Sequence, residues 1–161
     1  MKQRYIIRIG LFLYAASFFL VAVGSSGVAA TNIGKVSAPG YSCVYVTLAV
    51  PMIGNKFGHD GIFENRLLEF FSALIAGWIN PVFLIAVVFT SLGRSQRLVA
   101  ALRNVVVLML PFCWILFVYD DIYPREGYFV WIFGILLTLF SRELARAFAA
   151  NFEQGGHSEP A

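Results

Sequence analysis

Residues 67–92, LLEFFSALIAGWINPVFLIAVVFTSL, decide the class of this chain. Their only formal charge is Glu69, close to the first end. A helix rises ~1.5 Å per residue, so the stretch exceeds the ~30 Å hydrocarbon core of a bilayer and reads as a tilted or bent membrane span. Pro81 marks the place for the bend, because proline frees the carbonyl four residues back.

Three further apolar segments extend this reading, at about 6–23, 102–119 and 123–140, the third span carrying Pro111 near its centre. The links at 93–97 and 120–126 are short enough to force antiparallel neighbours. The expected fold is an all-α integral membrane protein: a four-helix transmembrane bundle forming one domain over 1–153. An outer loop, 24–66, packs partly on the membrane face, an interfacial helix covers 141–153, and a disordered tail covers 154–161. The interfacial helix follows from Phe140, Leu144, Phe148 and Phe152 recurring at every fourth position while Arg142, Glu143, Arg146 and Glu153 take other faces.

Composition excludes the alternatives. The chain has 161 residues, 59% hydrophobic, 16% aromatic and 13% charged, with a mean hydropathy of +0.75. Soluble domains carry about 25% charged residues. The net charge of +3 does not indicate nucleic acid, because the basic residues flank apolar spans and set orientation instead. Eight of them (Lys2, Arg4, Arg8, Arg94, Arg97, Arg103, Arg142 and Arg146) fall on one side of the bundle, and Lys35, Lys56, Arg66 and Arg125 fall on the other. By the positive-inside rule both termini are cytoplasmic, in an inner or cytoplasmic membrane if the cell is bacterial. Tyr119, Tyr123 and Tyr128 around the acidic turn suit an outer aromatic belt, and Trp78, Trp114 and Trp131 read as packing groups.

The N-terminus supports two readings. Lys2, Arg4 and Arg8, the apolar run to Val23 and the small residues before Ala30 have the order of a secretory signal, which would leave three spans after cleavage. The same residues also make an anchor helix that is retained.

Candidate functional residues fall into three groups. Glu69, Ser72, Asn80, Pro81 and Pro111 would form an intramembrane polar site, the two prolines freeing the carbonyls of Gly77 and Val107 as in broken transporter helices. The simpler reading pairs Glu69 with Arg66, lets Asn80 cap its own helix and leaves the kinks to shape packing. His59, Asp60 and Glu64 form an outer polar cluster with acid/base potential, but zinc needs three or four ligands and His157 lies on the other side. Asp120, Asp121 and Glu126 would hold a divalent cation or simply make a solvated turn. Ser72/Ala76 and Ala73/Gly77 are small-xxx-small pairs that favour close helix contact. Cys43 and Cys113 would pair only if the outer segment folds back onto the bundle.

No catalytic motif and no cofactor signature stands out, so the expectation is a non-enzymatic accessory, scaffold or stabilising subunit. It would act through helix contacts and its outer loop, with the lipid bilayer, a membrane protein or a second copy as partner. A small transporter or channel subunit using Glu69 and the kinks is the first alternative. A membrane-embedded enzyme using His59, Asp60 and Glu64 is the second.

Overall fold

The computed structural model describes residues 3–25, 37–43, 67–93, 95–119 and 122–155. The chain is mostly helical, in the order α1 (Gln3–Ser17), β1 (Val21–Ser25), β2 (Ser37–Pro39), α2 (Leu67–Ser91), α3 (Gln96–Met109), α4 (Pro111–Tyr119), β3 (Ile122–Pro124), α5 (Glu126–Leu139) and α6 (Ser141–Gly155). Leu74–Ser91 and Gln96–Ile115 are long and apolar enough to cross a membrane. The bent pair α5 and α6 adds a third such segment if counted as one.

The first departure from the all-α expectation is a three-stranded antiparallel sheet in the order β2-β1-β3. The helix expected over 6–23 stops at Ser17, whose hydroxyl donates to the Tyr14 carbonyl at 2.6 Å. The chain then tightens through Phe18 N to Ala15 O and Phe19 N to Ala16 O, and such three-residue bonds commonly close a helix end. Val21 and Val23 are β-branched and suit an extended strand. Here Val23 opposes Pro124 in β3 and Ala38 in β2, with an irregularity between Val21 and Val23. Both edge strands end in proline, Pro39 and Pro124, which cannot donate to a further strand. The span expected over 123–140 correspondingly begins as β3 and becomes helical only at Glu126.

α1 and α5 form the closest helix pair and run antiparallel. At one end Gln3 Nε2 donates to Ser141 Oγ at 3.5 Å, just past α5, and at the other a Cβ on Gly127 would lie 2.8 Å from the Val21 carbonyl. Between these points the backbones meet at two glycines. A Cβ on Gly134 would lie 2.6 Å from Tyr14 N and 2.9 Å from Gly10 O, and one on Gly10 would strike the Thr138 hydroxyl. Thr138 in turn donates to the Gly134 carbonyl at 2.8 Å, so its polar group is satisfied within its own helix. Small residues thus let backbones approach closely along the α1/α5 seam, apart from the small-xxx-small pairs expected on α2.

α2 packs on α3 and α4. Its buried residues Ser72, Ala76, Ile79, Phe83 and Ala86 alternate in steps of four and three, which keeps one stripe on the neighbouring helices. Phe71, Trp78, Leu84, Ile85 and Val88 face outward. Pro81 lies inside an unbroken helix. A turn at Gly93, whose φ of +63° suits glycine, reverses the chain into α3. At the other proline only the hydrogen-bond ladder is interrupted: Leu110 is still helical (φ −55°, ψ −42°) and Pro111 has no N–H to continue the ladder, yet α3 and α4 run on as one stretch long enough to span. Phe140 (φ −100°, ψ 14°) separates α5 from α6, which leaves at 70°. The core joins Tyr14, Ala76, Ile79, Phe83, Val106, Cys113, Tyr128 and Ile135, with the sheet at one end of the bundle.

Candidate functional site

Asn80 lies near the middle of α2 and is buried. Its Oδ1 accepts two hydrogen bonds from other helices, from Tyr14 OH of α1 at 3.0 Å and from Trp131 Nε1 of α5 at 2.9 Å. An indole N–H only donates, so the atom it meets must be the amide oxygen, which settles the orientation of the side chain. Capping its own helix would use the Nδ2 donor of Asn80, whereas its oxygen ties α1, α2 and α5 at one atom. Aromatic rings enclose the junction: Tyr14 packs on Phe83 (4.7 Å between centroids) and edge-on to Phe18 (5.0 Å), and Trp131 lies 5.8 Å from Tyr128.

Towards the sheet, Tyr128 continues the cluster against Phe117 (4.9 Å) and Trp114 (6.1 Å). It is buried rather than part of an outer belt, and its hydroxyl has no hydrogen-bond partner. The same holds for Ser72 Oγ. Trp78 and Trp114, expected as packing groups, are each about half exposed; their exposure is 47% and 49%. Trp131, by contrast, works inside the bundle through its hydrogen bond to Asn80.

The opposite end carries charge. Arg103 of α3 pairs through Nη1 with Glu143 Oε1 of α6, and its guanidinium lies 4.8 Å over the Phe140 ring. Its buried Nε has no partner. Partial burial pushes the Glu143 carboxyl up, yet its own backbone N–H, the Arg103 bond and the charges of Arg103 and Arg146 outweigh that and hold it below the usual carboxylate range. Its ionised form is thus favoured by folding, a contribution present above the unfolded value and lost as pH falls through the lowered one. The contact spans the bend between α5 and α6 and so fixes the direction in which α6 leaves.

At the sheet end Glu126 occupies the first turn of α5, where a carboxylate is favoured by the free N–H groups. Arg125 Nε lies 3.2 Å from its Oε2. The pair is exposed and contributes little to stability. Among the described residues no group of three His, Cys, Asp or Glu is placed to hold a metal.

The intramembrane site expected from Glu69, Ser72, Asn80, Pro81 and Pro111 is only partly assembled. Ser72 and Asn80 are buried on α2, whereas Pro111 is exposed, so the two prolines do not line one buried polar site. Glu69 belongs to α2, but its side chain, like that of Ala73, is outside the described residues. His59, Asp60, Glu64, Asp120, Asp121 and the tail beyond Gly155 also lie outside them. Cys113 is a buried free thiol, as its place in an apolar span suggests, and the conditional cross-link to Cys43 is not formed. Sequence reasoning missed Tyr14, Trp131 and the Gly10/Gly134 crossing. The available signal was chemical: a mid-span amide needs donors, and Tyr14 and Trp131 are polar groups near the middle of other apolar segments.

Set beside known proteins, the chain matches no family model, no curated protein and no solved structure.

Proposed function

We propose that this chain is a small multi-pass membrane protein of non-enzymatic type, an accessory or scaffold subunit that works through helix contacts. The observation that carries the reading is the use of Asn80. The central amide oxygen that a transport path would need is taken up by Tyr14 and Trp131, which favours a fixed bundle over one that opens. The outward faces support it further, since Phe12, Trp78, Leu108, Val118 and Phe133 are all exposed, a surface suited to lipid or to neighbouring helices.

Four crossings with both termini cytoplasmic complete the proposal. α1 and α5 have only 15 and 14 residues. As helices they reach ~21–23 Å, less than a ~30 Å core, and their ends carry Arg4, Arg8, Arg125 and Glu126, so their crossing calls for local bilayer thinning and for these side chains to reach the headgroups. The chain from Gln3 to Leu20 lies along α5, which favours the two crossing together. Cleavage after Ala30 would remove α1, β1 and the Tyr14 hydroxyl from the packed bundle, which favours the retained anchor over the cleaved signal.

The transporter reading survives on the buried, unpartnered Ser72 hydroxyl. Purification from the native host in mild detergent, followed by native mass spectrometry and reconstitution, separates the two. A second membrane protein at fixed stoichiometry, with no ion or proton flux above empty vesicles, is the expected result. A homo-oligomer whose flux disappears in Glu69→Gln would replace the scaffold reading with transport.

A further inference from the structure

The end of the bundle opposite the sheet is strongly basic. Arg4 and Arg8 on α1, Arg97 and Arg103 on α3, and Arg142 and Arg146 on α6 lie there, and all but Arg103 are exposed. Among residues with described side chains the one carboxylate at this end is Glu143, which Arg103 engages. The 3.5 Å contact between Gln3 and Ser141 sets Arg4 and Arg142 beside the same junction.

Helix geometry adds an apolar component to this charge. At ~100° per residue, Arg142 and Arg146 fall on one stripe of α6 and Leu144 and Phe148 on a stripe roughly opposite. Glu153 follows on the basic stripe two turns further along. Leu144 is half-buried against the bundle while Phe148 is 45% exposed, so the outer part of this face is not consumed by the bundle. The 70° bend, held by the Arg103 contacts to Glu143 and Phe140, turns α6 away from the direction of α5 and across the end of the molecule. A helix so placed lies along a membrane surface with its apolar stripe at the acyl boundary and its arginines among the headgroups.

We propose that this end of the protein binds anionic phospholipid, with headgroup phosphates taken by Arg142 and Arg146 and the surrounding field supplied by Arg4, Arg8 and Arg97. Guanidinium forks match phosphate oxygens, and the exposed phenyl ring on the opposite face of the same helix calls for a partner that is apolar as well as anionic. A lipid surface offers both, whereas an acidic protein surface offers only charge. The inference rests on the membrane-spanning reading above.

The test uses the full chain reconstituted in phosphatidylcholine vesicles with a trace of spin-labelled phosphatidylcholine or phosphatidylglycerol. Electron paramagnetic resonance then reports how much of each label is held at the protein surface. The phosphatidylglycerol label is expected to be favoured by about fivefold or more at low salt, given the attraction of each basic residue near an anionic surface. The preference shrinks at roughly 1 M salt, where screening acts within ~3 Å. It falls several-fold in Arg142→Gln/Arg146→Gln, persists in the charge-keeping Arg142→Lys/Arg146→Lys, and is unchanged in Arg125→Gln at the sheet end. Equal retention of the two labels by the wild-type chain overturns the proposal, as does a preference that survives Arg142→Gln/Arg146→Gln. Equal retention together with binding of polyglutamate reassigns the arginines to an acidic protein partner. If neither label is held at all, the membrane-spanning reading fails with it.

Discussion

Asn80 shows how one amide organises an apolar interior. Its oxygen offers two lone pairs, and Tyr14 and Trp131 use both from different helices. Removing the acceptor strands two buried donors, each costing about 1–3 kcal/mol, whereas removing one donor leaves the amide with the other. Membrane hydrogen bonds average nearer 0.6 kcal/mol, because the separated helices also find partners. Asn80→Ala is therefore expected to destabilise by about 2 kcal/mol, and Trp131→Phe or Tyr14→Phe by about 1 kcal/mol each. Unfolding by sodium dodecyl sulfate in mixed micelles, followed by circular dichroism, measures this. An Asn80→Ala midpoint equal to wild type contradicts the three-helix junction. Asn80 was legible in the sequence as an expensive mid-span polar residue, but its partners were not. Tyr14 and Trp131 lie 66 and 51 positions away, and nothing in local spacing relates them to it.

Among the elements, the α1/α5 pair depends on the absence of two side chains. A methyl on Gly134 would sit 2.6 Å from the Tyr14 backbone nitrogen, and backbone cannot swing aside as a flexible side chain does. Overpacking of this kind costs about 1–3 kcal/mol. Gly134→Ala should lower the midpoint of the same unfolding transition and weaken the Tyr14 bond to Asn80 with it. An outward-facing exchange such as Phe133→Leu should leave the midpoint nearly unchanged, and equal effects from the two would refute the seam. At this scale the helical periods of α2, of the α3 to α4 stretch and of α5 were readable from apolar runs, and the break at Phe140 from the aromatic recurrence beyond it. The sheet was not. Val21 to Ser25 extends an apolar run, and its strand form comes from two partners distant in sequence, around Ser37 and Ile122. The seam was missed for a similar reason, since Gly10 and Gly134 acquire meaning only as a pair.

The whole molecule has two unlike ends, a sheet edged by prolines and a surface of arginines. If the bundle crosses a membrane four times, these ends face opposite compartments. Single cysteines introduced at Arg142 and at Tyr123, in a chain with Cys43 and Cys113 replaced by Ser, should then react from opposite sides of sealed vesicles with an impermeant maleimide. Labelling of both from one side would refute the four-crossing topology while leaving the helix contacts intact. The charge bias that predicts this orientation was plain in the sequence, whereas the direction of α6 depends on a contact between Arg103 and Glu143 that only the folded chain brings about.

The antiparallel partnership of α1 with α5 also bears on the order in which the molecule can be made. Gln3 meets Ser141 across 138 positions, so α1 is made long before the segment it pairs with. At about 5–20 residues per second that interval is roughly 7–28 s, long compared with the submicrosecond formation of a helix. If α1 crosses the membrane as proposed, its glycine face and the Tyr14 hydroxyl stand in the bilayer throughout that interval without their native neighbours. On that reading biogenesis is a holding problem: a finished α1 must be sheltered until residues 126–141 arrive to close the bundle.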